Sequence, residues 1–511
     1  MAELINKLSD TPNEDLHEVL GQIDSWKWPR SDLNAWIKVL NKFDAILEEV
    51  IQDYGIDKLQ VNVFTPMTKK TVSEILRFER LLLENSTNRK TYASYDVRSY
   101  SHSPILVEYS AFTILQRINS FLSTSDLDIL ILALNLLLRP AQQYSAQPAV
   151  TRALSISTHR LQSLGKRWSN LREYDVSLVD LVTDHGRSVL EALPIEAREV
   201  QFKFYNTGKA KRPKDRANEM EIDLPETSQS SPQRPLAPVS TASSSQTAGA
   251  ITLYFDTQTL SSKGAMDILA DCIDTYNVPE EERFDLMCRI RAAQALLPGR
   301  EEERERLVVA RLLATAIFVH THPEAQTASA LFLYEPDLIP HVAELLALDR
   351  NVPIGIQTAA VATLDAVARY RTKVQDVLAA VNAGVNHGTL MALLRKTVAE
   401  VATPESTLPH SFVEALLSFV IFLASHAAGG NMVVGAGLIP LLIQIIENRL
   451  PQRLAVVSKT MQLVDNVLYS FGNAFQLFCN NRGVEVLVDR IEVCYSQFLG
   501  LLCTLLTVLT V

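Results

Sequence analysis

The stretch Pro409 to Ile446, PHSFVEALLSFVIFLASHAAGGNMVVGAGLIPLLIQII, restricts this chain more than any other. Its two apolar runs, Phe412 to Ala424 and Leu438 to Ile446, read as helices. Between them stand Gly429-Gly430 and Gly435, residues able to take the positive φ that a helix-to-helix turn demands. The spacing predicts a helical hairpin. A hairpin apolar on nearly every side cannot shed its surface alone, so it has to be covered by neighbouring hairpins in a stacked array.

Partners for it recur along the chain. Stretches resembling its second helix begin at Asp337 (DLIPHVAELL), Gly388 (GTLMALL), Gly437 (GLIPLL) and Gly483 (GVEVLV), 46 to 51 residues apart. That is slightly above the roughly 40–47 of armadillo and HEAT repeats. A small residue or Asp followed by Leu or Val marks each start, and Pro340 and Pro440 fall in the first turn, where a missing N–H costs little.

Composition agrees with helices. Of 511 residues 47% are apolar but only 7% aromatic, with Leu, Ala and Val dominant. A formal net charge of −10 argues against nucleic-acid phosphates as the main partner, which require a basic face. The five cysteines, Cys272, Cys288, Cys479, Cys494 and Cys503, are odd in number and in no C-x-x-C spacing, so neither a disulfide framework nor a zinc site is expected. A reducing compartment follows, and the N-terminal MAELINKLSD lacks the apolar core of a secretory signal, so the expected location is cytoplasmic and/or nuclear.

Four segments are expected. Residues 1–195 form a first helical domain, with one buried stripe on Trp36, Val39, Leu40, Phe43, Ile46 and Leu47. Capping signals stand at Ser31-Asp32 and Ser125-Asp126, a second helix runs from Thr71 to Glu84, and a third from Ser125 stops at Arg139-Pro140. Residues 196–256 hold two alternating strands, Glu199–Tyr205 and Ala250–Asp256, which pair as an antiparallel ribbon around a Ser/Pro-rich, disordered insertion at about 206–249. Lys209, Lys211, Arg212, Lys214 and Arg216 at the head of the insertion read as a solvated charged flank, with a nuclear-localisation signal as the alternative. Residues 257–492 form a second, armadillo-like helical domain, in which Pro279-Glu280-Glu281-Glu282 opens one helix and Arg300–His320 makes another, its REEERER start a solvated face. Residues 493–511 are an uncharged apolar tail. The fold class is therefore all-α, an armadillo/HEAT-like α-solenoid with a small β-ribbon and a disordered insertion.

Chemistry is harder to find. His320-Thr321-His322 invites a metal, but H-x-H throws the rings about 200° apart on a helix and no carboxylate or Cys stands at ligand spacing. His410 and His426 read as cap or surface residues, and Leu164-Gly165-Lys166 lacks the upstream glycine of a phosphate loop. No G-x-S-x-G, HExxH or Rossmann glycine set occurs, and no histidine lies in the last 80 residues to serve Cys494 or Cys503 as a base. No catalytic, cofactor-binding or metal-binding residue is assigned, and no cofactor is expected.

The segments Trp36–Leu47, Leu81–Arg89 and Leu127–Leu137, then Phe202–Tyr205, Ala310–Val319 and Leu423–Gly430, resemble, in order, the N-terminal region of the giant HECT-type ubiquitin ligases of the Huwe/Tom class, with its two consecutive helical domains of uncharacterised function. The resemblance covers about residues 1 to 495. It implies a scaffold and substrate-recruiting arm for protein ubiquitination, whose partners are protein substrates and, through a catalytic part lying elsewhere, the ubiquitin machinery. The ubiquitin-carrying cysteine of such ligases sits in a HECT domain that this sequence does not contain, so no cysteine here inherits that role. The alternative is a free-standing α-solenoid interaction adaptor. The tail 493–511 departs from the family pattern and is expected to reflect a truncated or misread gene, with a membrane tail as the other reading and the only route to a membrane.

Overall fold

A computed structural model of the chain describes residues 2–22, 33–56, 59, 64–85, 115–144, 148–168, 171, 174, 176–205, 250–322, 331–370, 372–383, 388–450 and 453–492. The principal helices, in chain order, are α1 (Ile37–Asp53), α2 (Pro66–Asn85), α3 (Leu127–Tyr144), α4 (Thr158–Gly165), α5 (Glu280–Ala295), α6 (Glu301–Thr321), α7 (Leu338–Glu344) and α8 (Ile354–Arg369). They continue with α9 (Val374–Val381), α10 (Gly388–Val401), α11 (His410–Ala424), α12 (Ala427–Gly435), α13 (Leu438–Glu447), α14 (Leu454–Ser470) and α15 (Gly472–Asn480). Between α4 and α5 lie strands β1 (Val200–Tyr205) and β2 (Ala250–Phe255).

The long helices stack in sequence order: α2 on α3, α3 on α6, α6 on α8, α8 on α11 and α11 on α14. Shorter helices form a second layer, α7 on α9, α9 on α10, α10 on α13 and α13 on α15. This is the two-layer helical solenoid that the repeat pattern predicts. The four predicted repeat starts coincide with the starts of α7, α10 and α13 and of helical residues 483–492. At three of them the chain enters through a left-handed residue, Gly388 (φ 83°), Gly437 (φ 91°) and Arg482 (φ 62°).

One apolar core runs from Leu8 to Val486 and contains residues of both expected helical domains. The stripe on α1 is buried as predicted, with Phe43 and Trp36 each edge-on to Phe78. The ribbon is also as predicted. Val200, Phe202 and Phe204 turn inward and alternate with outward residues, β1 pairs antiparallel with β2 in the register Val200↔Phe255 to Tyr205↔Ala250, and a second apolar cluster packs it against Leu260, Met287 and Ile290. The insertion 206–249 with its basic head, the tail 493–511 and the cap at Ser31-Asp32 lie outside the described residues.

Four local expectations are corrected. The Pro409–Ile446 unit holds three helices, not two, because Gly429 and Gly430 lie within α12. Those glycines are there for close approach: a Cβ on Gly430 would lie 1.9 Å from the Phe471 ring, and one on Gly429 2.3 Å from the Leu423 carbonyl oxygen. Positive φ falls at Gly437 instead. Next, α3 does not stop at Arg139-Pro140 but runs through Pro140 to Tyr144, since Leu138 and Ala141 on either side are buried and their packing outweighs one lost backbone bond. The second helix begins at Pro66 rather than Thr71, its proline in the first position, where no N–H is needed. Finally, the REEERER face is not wholly solvated. Arg304 is buried and donates from Nε to the Leu181 carbonyl (2.7 Å) and from Nη1 to that of Ala295 (2.9 Å), tying α6 to its neighbours.

Candidate functional site on the inner helix ladder

A solenoid offers partners the inner face of its long helices. Here the long helices carry isolated charges set into apolar runs: Arg139 on α3, Asp365 and Arg369 on α8, Glu414 on α11 and Lys459 on α14. Arg139 Nη2 meets Glu414 Oε2 at 2.7 Å, and Lys459 Nζ meets Glu414 Oε1 at 3.4 Å. Packed helices sit about 8–10 Å apart, so α3 and α11, three steps apart in the ladder, would be about 24–30 Å apart if it were straight. An Arg–Glu contact cannot bridge that. The ladder therefore curls, and the brace joins rungs that are not neighbours.

Electrostatics follow from this enclosure. Burial by itself would raise the Glu414 carboxyl, but the charge and hydrogen bond of Arg139, then Lys459 and His410, outweigh it and hold the group at about 2. Lys459 is lowered by burial, with Glu414 opposing. Asp365 is raised by burial although Arg369 grips it through two bonds, of 2.9 and 3.1 Å. Arg369 also lies 4.3 Å from the centre of the Phe422 ring. His320, in the last turn of α6, is pushed down to about 3 by burial and then by Arg369, and its Nε2 has no hydrogen-bond partner among the described residues. Arg139, Arg369 and Lys459 stand here against only two carboxylates, Glu414 and Asp365, within an acidic chain. The cluster is a filled ionic brace, suited to fixing curvature rather than to moving protons or attacking a bond.

The residues weighed from sequence fall elsewhere or are locked. His322 stacks on Phe318 with ring centres 4.7 Å apart, and its Nδ1 lies 3.0 Å from the Phe318 carbonyl oxygen, so it does not join His320 in a ligand set. Among the described residues no group of three or more His, Cys, Asp or Glu is placed to hold a metal. His410 opens α11 and His426 caps α12, both exposed. Burial pushes the thiols of Cys272 and Cys288 up to about 11 and 12, while Cys479 is half-buried; Cys494 and Cys503 lie outside the described residues. Gly165-Lys166 ends α4 at the wall of a cavity. Sequence reasoning missed the brace. Its signal was a lone charge inside an apolar run, as in SFVEALLSF around Glu414 and LLLRPA around Arg139.

The family model described as Domain of Unknown Function (DUF908) matches residues 109–399, and that described as Domain of Unknown Function (DUF913) matches residues 458–499. The E3 ubiquitin-protein ligase ptr1 of Schizosaccharomyces pombe is 25% identical over 472 residues, covering 92% of this chain and 13% of that protein. UPL2 of Arabidopsis thaliana, also an E3 ubiquitin-protein ligase, is 26% identical over 495 residues, 96% of this chain and 12% of its own length. HUWE1 of Mus musculus, a third such ligase, is 24% identical over 503 residues, 96% of this chain and 10% of its own length. The chain thus spans only 10 to 13% of the length of these relatives. The resemblance to the N-terminal region of Huwe/Tom-class ligases is borne out by these matches.

Proposed function

The chain belongs to the DUF908 family, and from that premise we propose that it acts as the non-catalytic helical arm of a HECT-type ubiquitin-protein ligase, holding protein substrates within reach of a catalytic domain. The observation that carries this reading is the breadth of the match: relatives whose names state E3 ligase activity align with 92 to 96% of the chain. The chemistry supports a scaffold. A ubiquitin acceptor has to be an accessible thiolate, whereas the thiols of Cys272 and Cys288 are held neutral by burial. A cytoplasmic or nuclear setting goes with the reading, since a reducing compartment suits free thiols.

The test fuses the chain to an isolated HECT domain and follows ubiquitin transfer to proteins that bind the chain. Transfer should rise over that of the unfused HECT domain, and the chain incubated alone with charged E2 should form no thioester on any of its five cysteines. A reducible ubiquitin adduct on the chain itself, or a fusion no better than the free HECT domain, would overturn the scaffold reading.

A further inference from the structure

Long helices inside the ladder are covered on both sides, and the last described one is not. Flanked by α6 and α11, α8 buries 12 of its 16 residues, whereas α14, with α11 alone beside it in the ladder, buries 6 of 17. Eight residues of α14 are exposed, and Asp465 is the one charge among them. A solvated helix face is normally rich in charge. This one instead carries Ser458, Gln462 and Tyr469, the last 94% exposed.

The second layer ends in the same way. In helical residues 483–492, Val484, Val488 and Ile491 stand at spacings of four and three on one side and are 43, 48 and 63% exposed. The other side is docked: Val486 is buried, and a Cβ on Gly483 would lie 2.6 Å from the Phe478 ring. A stable solenoid closes with a repeat whose outer face is polar. Among the described residues this end has no such face.

The spacing of the repeats points to what covers it. From α8 onward the helices recur as triplets of one long and two shorter members: α8 to α10, α11 to α13, and α14 to residue 492. Eight residues, 402–409, separate the first triplet from the second, and six, 448–453, the second from the third. The same intervals counted from residue 492 bring the next long member in at 499 to 501. There the sequence reads LGLLCTLLTVLTV, residues 499–511, with no charge and enough length for about three and a half helical turns. Thr504, Thr507 and Thr510 recur every third residue, a polar strip suited to the Ser458 and Gln462 side of α14.

We propose that residues 499–511 take the next place in the ladder and cover this end of the solenoid, lying against the open side of α14 and the stripe of Val484, Val488 and Ile491. The end face is then occupied by the chain itself and closed to partners. This is independent of the ligase reading and does not depend on a catalytic domain.

The experiment alkylates the full chain with iodoacetamide and follows each cysteine by peptide mass spectrometry, with molar mass read by light scattering. In the monomer Cys503 should react about tenfold more slowly than in denaturing urea, because a covered thiol is out of reach. Two variants at exposed positions, Tyr469→Lys and the triple change Val484→Lys, Val488→Lys and Ile491→Lys, should each restore fast labelling of Cys503 and leave that of buried Cys272 unchanged. Labelling of Cys503 at the urea rate, or protection that survives either variant, would overturn the proposal. So would protection lost when a dimer is diluted, which would make a second copy the occupant, or protection gained only on adding phosphatidylcholine vesicles, which would make it a membrane.

Discussion

Replacing Glu414 by Gln tests whether the curled ladder depends on its ionic brace. The carboxyl is held at about 2 against an ordinary 4.5, and its side chain is 28% exposed, so solvent screens it only in part. At 1.36 kcal/mol per tenfold change in proton affinity, this gap corresponds to about 3 kcal/mol of folded-state stability. The sign is that of a depressed acid: the stabilisation is complete above the unfolded value of about 4.5 and disappears as pH falls towards 2. Urea unfolding of the parent and of Glu414→Gln should therefore differ by about 3 kcal/mol at pH 7, still differ by most of that at pH 4, and converge only as pH approaches 2, where the folded parent carboxyl becomes as neutral as the amide. Because Arg139 reaches across two intervening rungs, the variant should also show a larger radius of gyration by X-ray scattering at pH 7. Arg139→Met should cost less in the Gln background than in the parent, since the two groups form one contact. A stability difference that does not change with pH, or additive single variants, would refute the brace.

Three further outcomes follow from the packing. Glu79, 2% exposed on α2 with neither carboxyl oxygen hydrogen-bonded among the described residues, is raised to about 8 by burial and then by Asp44. Its folded form holds a proton that the unfolded form releases near 4.5, so stability falls as pH rises from 4.5 to 8; Glu79→Gln should flatten that fall and gain about 3 kcal/mol at pH 7, read from urea midpoints across this range, and an unchanged pH profile would contradict it. Gly430→Ala puts a methyl 1.9 Å from the Phe471 ring, so despite the roughly 1 kcal/mol that alanine gains inside a helix it should lower stability by about 1–3 kcal/mol and alter near-ultraviolet dichroism, whereas a stabilised variant would show that α12 is not held against Phe471. Tyr205 and Ala250 face each other at the end of the ribbon, so replacing residues 206–249 with Asn-Gly should leave the thermal midpoint unchanged or raise it through the shorter loop; a lost or split transition would show that the insertion contributes to the core.

Legibility in the sequence tracked the range of the forces involved. Helix starts were readable because a start is local: Gly437 before LIPLL supplies its own left-handed turn and apolar face within six residues, and so does Gly388 before TLMALL. The ribbon was readable for the same reason, since alternation in VQFKFY sorts the two faces without reference to anything else. Gly429 and Gly430 were misread because the same residue type serves two ends: a turn needs glycine for its φ, and a crowded helix needs it for its missing Cβ, a need set by Phe471 some forty residues away. Arg304 illustrates the same limit with charge. Its neighbours in REEERER suggest water, but its actual acceptors are carbonyl oxygens of Leu181 and Ala295, fixed by how α6 docks. The brace is the extreme case, because Arg139 and Glu414 are 275 positions apart and share no periodicity. Yet each violates its own surroundings, a charge that an isolated helix would never bury. In this stacked array, then, the charges at Arg139 and Glu414 that break the local apolar pattern are the ones that join distant rungs, and the curvature they hold shapes the surfaces of the solenoid.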